Sequence, residues 1–232
     1  IFDLMMTESK IIIIIPARLS SVRLPKKQLL KIGNTKIIEI IFKRLSTYFS
    51  KRDIFVATSN DKSDNELCEF CKKKNINFFR GSLSNVLQRV YKLASIQKAY
   101  GFIRVNGDSP LVNLSVIKKG LKKFKTRKYD LVTNVFPRSY PAGMSVEIIK
   151  TQTLQKISKR IKKRSHKEHI TPYIYENYKD FRIYNIKNRK NYSNIHLAVD
   201  TKKDFLKIKK VILRLKNYRF NLKRIIQTYE KN

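Results

Sequence analysis

Tryptophan is absent from the 232-residue chain, glycine and proline occur six times each, and cysteine occurs twice. The isoleucine run from Ile11 to Ile15 falls far short of the roughly 20 apolar residues that a membrane-spanning helix needs. Neither a leader peptide nor a spanning segment is visible, which predicts a cytosolic protein with no membrane partner. The chain opens IFDLMM without an initiator methionine, so the residues ahead of Met5 or Met6 read as an upstream extension. Segment 1–10 is therefore set apart, and 11–232, which lacks linker-like stretches and internal repeats, reads as a single domain.

Acidic residues are scarce too: 17 Asp and Glu face 52 Lys and Arg, a formal net charge of +35. Such an excess suits a nucleic acid or an anionic membrane. Here, however, it is mostly lysine and spread along the whole chain, as in VIKKGLKKFKTRK and ISKRIKKRSHK, alongside abundant Ile and Asn. That usage fits an AT-rich coding sequence and a solvated basic surface, and no specific nucleic-acid partner is expected.

The two cysteines form Cys68-Glu-Phe-Cys71, and with His166 and His169 they could complete a four-ligand metal set. Against this, Leu67, Phe70 and Cys71 recur at helical spacing on one apolar face, where cysteine acts as a small hydrophobe. A core role is expected.

What the sequence does contain is an alternation of short β-type runs with longer amphipathic ones, the pattern of β-α-β units around a mostly parallel sheet. Strands are predicted near 11–15, 53–58, 77–79, 101–105 and 129–134, with helices near 35–49, 62–74, 83–98 and 113–125. The last three helices open after Asp61, Ser82 and Asn113, residues suited to N-caps. Further on, PRSYPAG reads as a turn, MSVEII as a strand, 151–177 as mostly helix, and RIYNI and IHLAV as strands. A terminal helix from about Lys202 is predicted to bury Phe205, Ile208, Val211, Ile212 and Leu215.

Ligands of open α/β sheets sit beyond the carboxyl ends of the strands. Three polar segments fall there: PARLSSVRLPKK after the isoleucine run, VATSND after the second strand, and RVNGDSPL after the fourth. In the first, Arg18, Arg23 and Lys27 have no acid nearby in sequence, and cations with serine hydroxyls suit a polyphosphate. The loop lacks glycine altogether, which excludes a Walker P-loop. In the third, Asp108 follows Gly107 at a strand end, a candidate Mg²⁺ ligand, with Asp200 at the end of IHLAVD as its candidate partner.

IIPARLSSVRLPKKQLL, VATSND, FRGSLSNVLQRV, IRVNGDSPL, PRSYPAGMSVEI, KEHITPYI and HLAVDTKKDF, in this order, resemble the cytidylyltransferases of the spore coat polysaccharide protein F type. These are relatives of the CMP-KDO and CMP-sialic acid synthetases. The resemblance covers about Ile11 to Phe205. It implies a three-layer α/β/α sandwich with a mostly parallel mixed sheet, like the nucleotide-diphospho-sugar (GT-A) transferases. It also implies Mg²⁺-dependent transfer of CMP from CTP to an acidic sugar, for surface polysaccharide, by a homodimer.

Carried over by position, Arg18, Arg23 and Lys27 match the triphosphate-holding residues, with Arg23, Lys27 and Asp108 catalytic, and Asp108 and Asp200 match the metal aspartates. Thr58, Arg80, Ser82 and Arg89 fall in segments for base and ribose, and Tyr140, Glu147 and His169 in those facing the sugar. Departures are Lys26 in place of the usual glycine, Ala142 and Ser145 in place of two aspartates, and Asn85 in place of another. They predict a retained transferase with a shifted acceptor. Two other readings stay open: the same fold with a different nucleotide donor or a ready-made nucleotide sugar, and a basic nucleic-acid binder.

Overall fold

The computed structural model describes residues 10–215 and 217–231, so nearly all of segment 1–10 lies outside the described residues. In chain order the strands are β1 (Ile11–Pro16), β2 (Lys31–Ile32), β3 (Thr35–Lys36), β4 (Ile54–Ser59), β5 (Asn77–Gly81), β6 (Gly101–Arg104), β7 (Leu131–Thr133), β8 (Glu147–Lys150) and β9 (Ile183–Asn185). The α-helices are α1 (Ile37–Ser46), α2 (Asn65–Lys73), α3 (Val86–Ile96), α4 (Leu114–Phe124), α5 (Thr151–Ser158), α6 (Arg164–Glu168), α7 (Pro172–Glu176), α8 (Lys202–Leu215) and α9 (Leu222–Glu230).

The isoleucines of β1 explain the layering. Alternate side chains of a strand point to opposite faces. Ile13 and Ile15 enter a core shared with α1, α2, α4 and α8, whereas Ile12 and Ile14 enter a second core shared with α3, α5 and α7. A strand buried on both faces belongs in the middle of a sheet, and the order β5-β4-β1-β6-β8-β7-β9 puts β1 there. β1 pairs in parallel with β4 and β6, whereas β8 runs antiparallel to both β6 and β7. The result is the expected mostly parallel mixed sheet with helices on both sides.

Several boundaries differ from the sequence reading, each for a local reason. Thr35–Lys36 pairs with Lys31–Ile32 as a hairpin, so the first helix starts at Ile37 rather than at 35. Helix α3 starts at Val86, because Asn85 rather than Ser82 is its N-cap: the Asn85 side chain accepts from Gln88 N at 2.9 Å. Asp61 caps a 3-10 turn ahead of α2, and Asn113 caps α4 as expected. The stretch 151–177 is three short helices, and IHLAV is no strand. Its backbone exchanges bonds with Ala142 of the PAG turn, Ala142 N donating to Ile195 O and Leu197 N to Ala142 O. Gly143 makes this approach feasible at φ 85°, since a Cβ there would fall 2.4 Å from the Leu197 carbonyl carbon. After α8, in which Phe205 and Ile212 are only partly buried, a further helix, α9, follows that the sequence reading did not anticipate.

Candidate active site

At the carboxyl ends of β1 and β6 lies a cavity of about 420 Å³. Its wall includes Arg18, Arg23, Lys27, Arg89, Asp108, His169 and Asp200, seven of the predicted residues, drawn from distant parts of the chain. Backbone bonds set this convergence. Ala17 N donates to Ala57 O, and Gly107 N to Pro16 O, so the cation loop leaves β1 pressed against the NGD turn. A side chain at Gly107 would meet Pro16 O at 2.9 Å, which is why the turn needs glycine there. Val199 N donates to Asp108 O at 2.9 Å and so brings Asp200 beside Asp108.

The cation loop is tied down by a residue the sequence reading passed over. Asp64, fully buried, accepts from Leu19 N at 2.7 Å and from Ser59 N at 3.1 Å, and also takes the Ser59 hydroxyl. One carboxylate therefore joins the loop to the end of β4. The loop closes at Lys26, whose φ of 54° is left-handed. The departure from glycine is thus a lysine in a glycine-favouring conformation, with its ammonium 2.7 Å from Glu66.

The charges pair within the cavity. Lys27 Nζ lies 2.8 Å from Asp108 Oδ2 and 3.1 Å from Asp200 Oδ1. Arg23 reaches the same Asp200 oxygen at 3.0 Å. Arg18 pairs with Glu168 at 2.5 Å, and that bond holds the Glu168 carboxyl below its ordinary value. Arg89 is buried and donates from Nη1 to Ser82 O at 3.1 Å, while its Nε has no partner. Burial pushes its guanidinium down to about 10.

Five predicted residues do not reach the cavity wall. Thr58 is buried inside β4, and its hydroxyl has no hydrogen-bond partner. Arg80 is used structurally, donating to Ser59 O and Asp61 O. The Ser82 hydroxyl accepts from Asn85 N at 3.1 Å. Tyr140 sits in the core, where burial pushes its phenol up. Glu147, also buried, accepts from Arg104 and, at 2.6 Å, from the Tyr175 hydroxyl. It is Arg104 that lines the cavity, with Glu147 behind it as the partner of that guanidinium. A lone cation ending the apolar strand GFIR was the signal for Arg104; Glu168, also on the cavity wall, had none.

Cys68 and Cys71 are free and buried, and burial pushes the Cys71 thiol up to about 12, as an inert core residue requires. His166 pairs with Glu176 instead. Among the described residues no cluster of three or more His, Cys, Asp or Glu could hold a metal. Asp108 and Asp200 offer two carboxylates in reach of one cation, which suits an ion that completes its shell with substrate oxygens and water. No helix among the described residues is long and apolar enough to cross a membrane.

A parallel-centred α/β/α sheet with cations and two aspartates at its strand ends defines a nucleotidyltransferase-type protein. A family model described as Cytidylyltransferase matches residues 12–232, and the chain belongs to that family. An uncharacterized protein of Methanocaldococcus jannaschii is 35% identical over 96% of this chain and 91% of its own length. The spore coat polysaccharide biosynthesis protein SpsF of Bacillus subtilis is 29% identical over 86% and 85%. The structure of a cytidylyltransferase from Leptospira borgpetersenii superposes with a TM-score of 0.92 at 29% identity, covering 97% of this chain and 95% of that one.

Proposed function

We propose that the protein transfers CMP from CTP to an acidic sugar, releasing pyrophosphate, in the synthesis of a surface polysaccharide. The observation that carries this reading is the Lys27 ammonium set between Asp108 and Asp200, with Arg18 and Arg23 in the same cavity. Fixed cations at a strand end match a triphosphate, and the aspartates match its metal. Family membership and the name of the Bacillus relative support the chemistry and the pathway.

Arg18, Arg23 and Lys27 bind the triphosphate oxygens and offset the charge that grows on the departing pyrophosphate. Arg89, with its unpartnered Nε, faces the nucleoside. An acceptor hydroxyl attacks the α-phosphorus; its O–P bond forms as the bond to the bridging oxygen breaks, its proton passes to water, pyrophosphate leaves, and no side-chain nucleophile is needed. Asp108 and Asp200 would hold Mg²⁺, which when bound neutralises phosphate charge and makes the hydroxyl more acidic. On the acceptor side, Arg104 is held by Glu147, which also accepts from the Tyr175 hydroxyl, and the Arg104 Nε is unpartnered, a fit for an anionic group. Beyond Glu147, Arg138 donates to Ser145 Oγ at 3.1 Å, where the related enzymes have an aspartate, so this edge is less acidic and a different sugar acid is expected.

Pyrophosphate release from CTP and Mg²⁺ across a panel of sugar acids tests the reading. With an accepted sugar, Asp108→Asn is expected to lower turnover by roughly 10²-fold or more. Full activity in that variant would refute the metal assignment, and no release with any acceptor would refute the acidic-sugar reading.

A further inference from the structure

Both aspartates assigned to the metal pair with side-chain cations. Lys27 Nζ is within hydrogen-bond distance of one oxygen of each, and its side chain is only 10% exposed. Arg23 adds a second cation to Asp200, and Ser109 Oγ donates to the remaining Asp108 oxygen at 3.0 Å. A divalent ion and this ammonium cannot share those oxygens, because like charges at such separations repel strongly in a partly buried site.

We propose that Lys27 is a stand-in cation that keeps divalent metal off Asp108 and Asp200 until a nucleoside triphosphate arrives. The inference rests on the CTP-using reading above. When the triphosphate draws Lys27 and Arg23 onto its own oxygens, Asp108 and Asp200 open to the metal that travels with it. The charges balance: two single positive charges leave the aspartates and one double charge takes their place.

The backbone bonds around Lys27 leave its side chain as the part that has to move. Lys27 begins the 3-10 turn Lys27–Leu29, whose backbone is fixed by bonds from Lys26 N to Leu19 O and from Leu29 N to Lys26 O. Only the flexible lysine stem has to swing. Arg23, with its side chain 66% exposed, is freer still. Metal and triphosphate then favour each other's binding, by reciprocity of linked equilibria, and a metal ion without nucleotide binds poorly.

The test is Mn²⁺ binding to the nucleotide-free protein, followed by electron paramagnetic resonance, in wild type, K27M and K27M/D200N. K27M is expected to bind Mn²⁺ roughly tenfold more tightly than wild type or better, and K27M/D200N to lose that gain. Equal Mn²⁺ affinity in wild type and K27M overturns the inference. Should K27M fail to fold, the thermal midpoint of wild type decides. It is expected not to move with Mg²⁺ alone, to rise with CTP in EDTA, and to rise further with CTP and Mg²⁺ together. A shift from Mg²⁺ alone as large as the one Mg²⁺ adds to the CTP complex overturns the inference. If no nucleotide moves the midpoint, the CTP reading falls by itself, and Lys27 is judged by the same Mn²⁺ comparison with K27Q in place of K27M.

Discussion

A lysine at a left-handed backbone position is the most unusual residue of the site. Lys26 carries a strain of about 1–2 kcal/mol that glycine would not. Glycine would restore chain entropy worth about 0.5–1 kcal/mol and give up an exposed pair with Glu66 worth at most about 1 kcal/mol. Lys26→Gly is therefore expected to stay within about 1 kcal/mol of wild type in urea unfolding. Lys26→Ala keeps the strain, loses the pair, and should be the less stable of the two. Glu168 offers a pH test. Because Arg18 holds its carboxyl below the ordinary value of 4.5, the pair contributes stability above that value and loses it as pH falls through the lowered one. The stability gap between wild type and Glu168→Gln should close on acidification below about 4.5; a gap that persists at lower pH would show that the pair does not matter.

Elements differ in how much of themselves they announce. The Ile11 to Ile15 run declared a strand buried on both faces, and the polar loops after it declared their place by following strands. Strand direction leaves no such trace: MSVEII reads as β whichever way it runs, and only the pairing with β6 and β7 shows that β8 is reversed. That reversal puts Glu147, the first residue of β8, opposite Arg104, the last of β6, a contact between residues 43 apart that no local pattern encodes. IHLAV alternated like a strand, yet Gly143 drew it into a single bridge. Arg44 in α1 is another hidden tie. Fully buried, it donates to the carbonyls of Val112, Tyr218 and Phe220 at 2.6, 2.6 and 3.0 Å, with its guanidinium 3.6 Å from the Phe220 ring. Arg44→Met leaves three carbonyls unpaired and should cost at least about 3 kcal/mol in urea unfolding. Faster amide exchange between α8 and α9 is expected with it; unchanged exchange there would mean that Arg44 does not anchor this segment.

For the whole molecule, the net charge of +35 makes some affinity for any polyanion unavoidable. Counterion release makes such binding collapse with salt. Retention on heparin or duplex DNA should therefore fall steeply between 50 and 200 mM salt, by roughly 10³-fold or more in affinity, and be unchanged in Asp108→Asn. Binding that survives high salt would instead favour a dedicated nucleic-acid surface. The double-sided burial of β1 has a compositional corollary. A strand with no solvent face accepts isoleucine at every core position, so a run of a single residue type builds it without harming the fold. Outside, lysine dominates, and water tolerates it almost anywhere. At Lys26 one of these lysines occupies a backbone conformation that favours another residue, and a glutamate on a neighbouring helix pairs with it there.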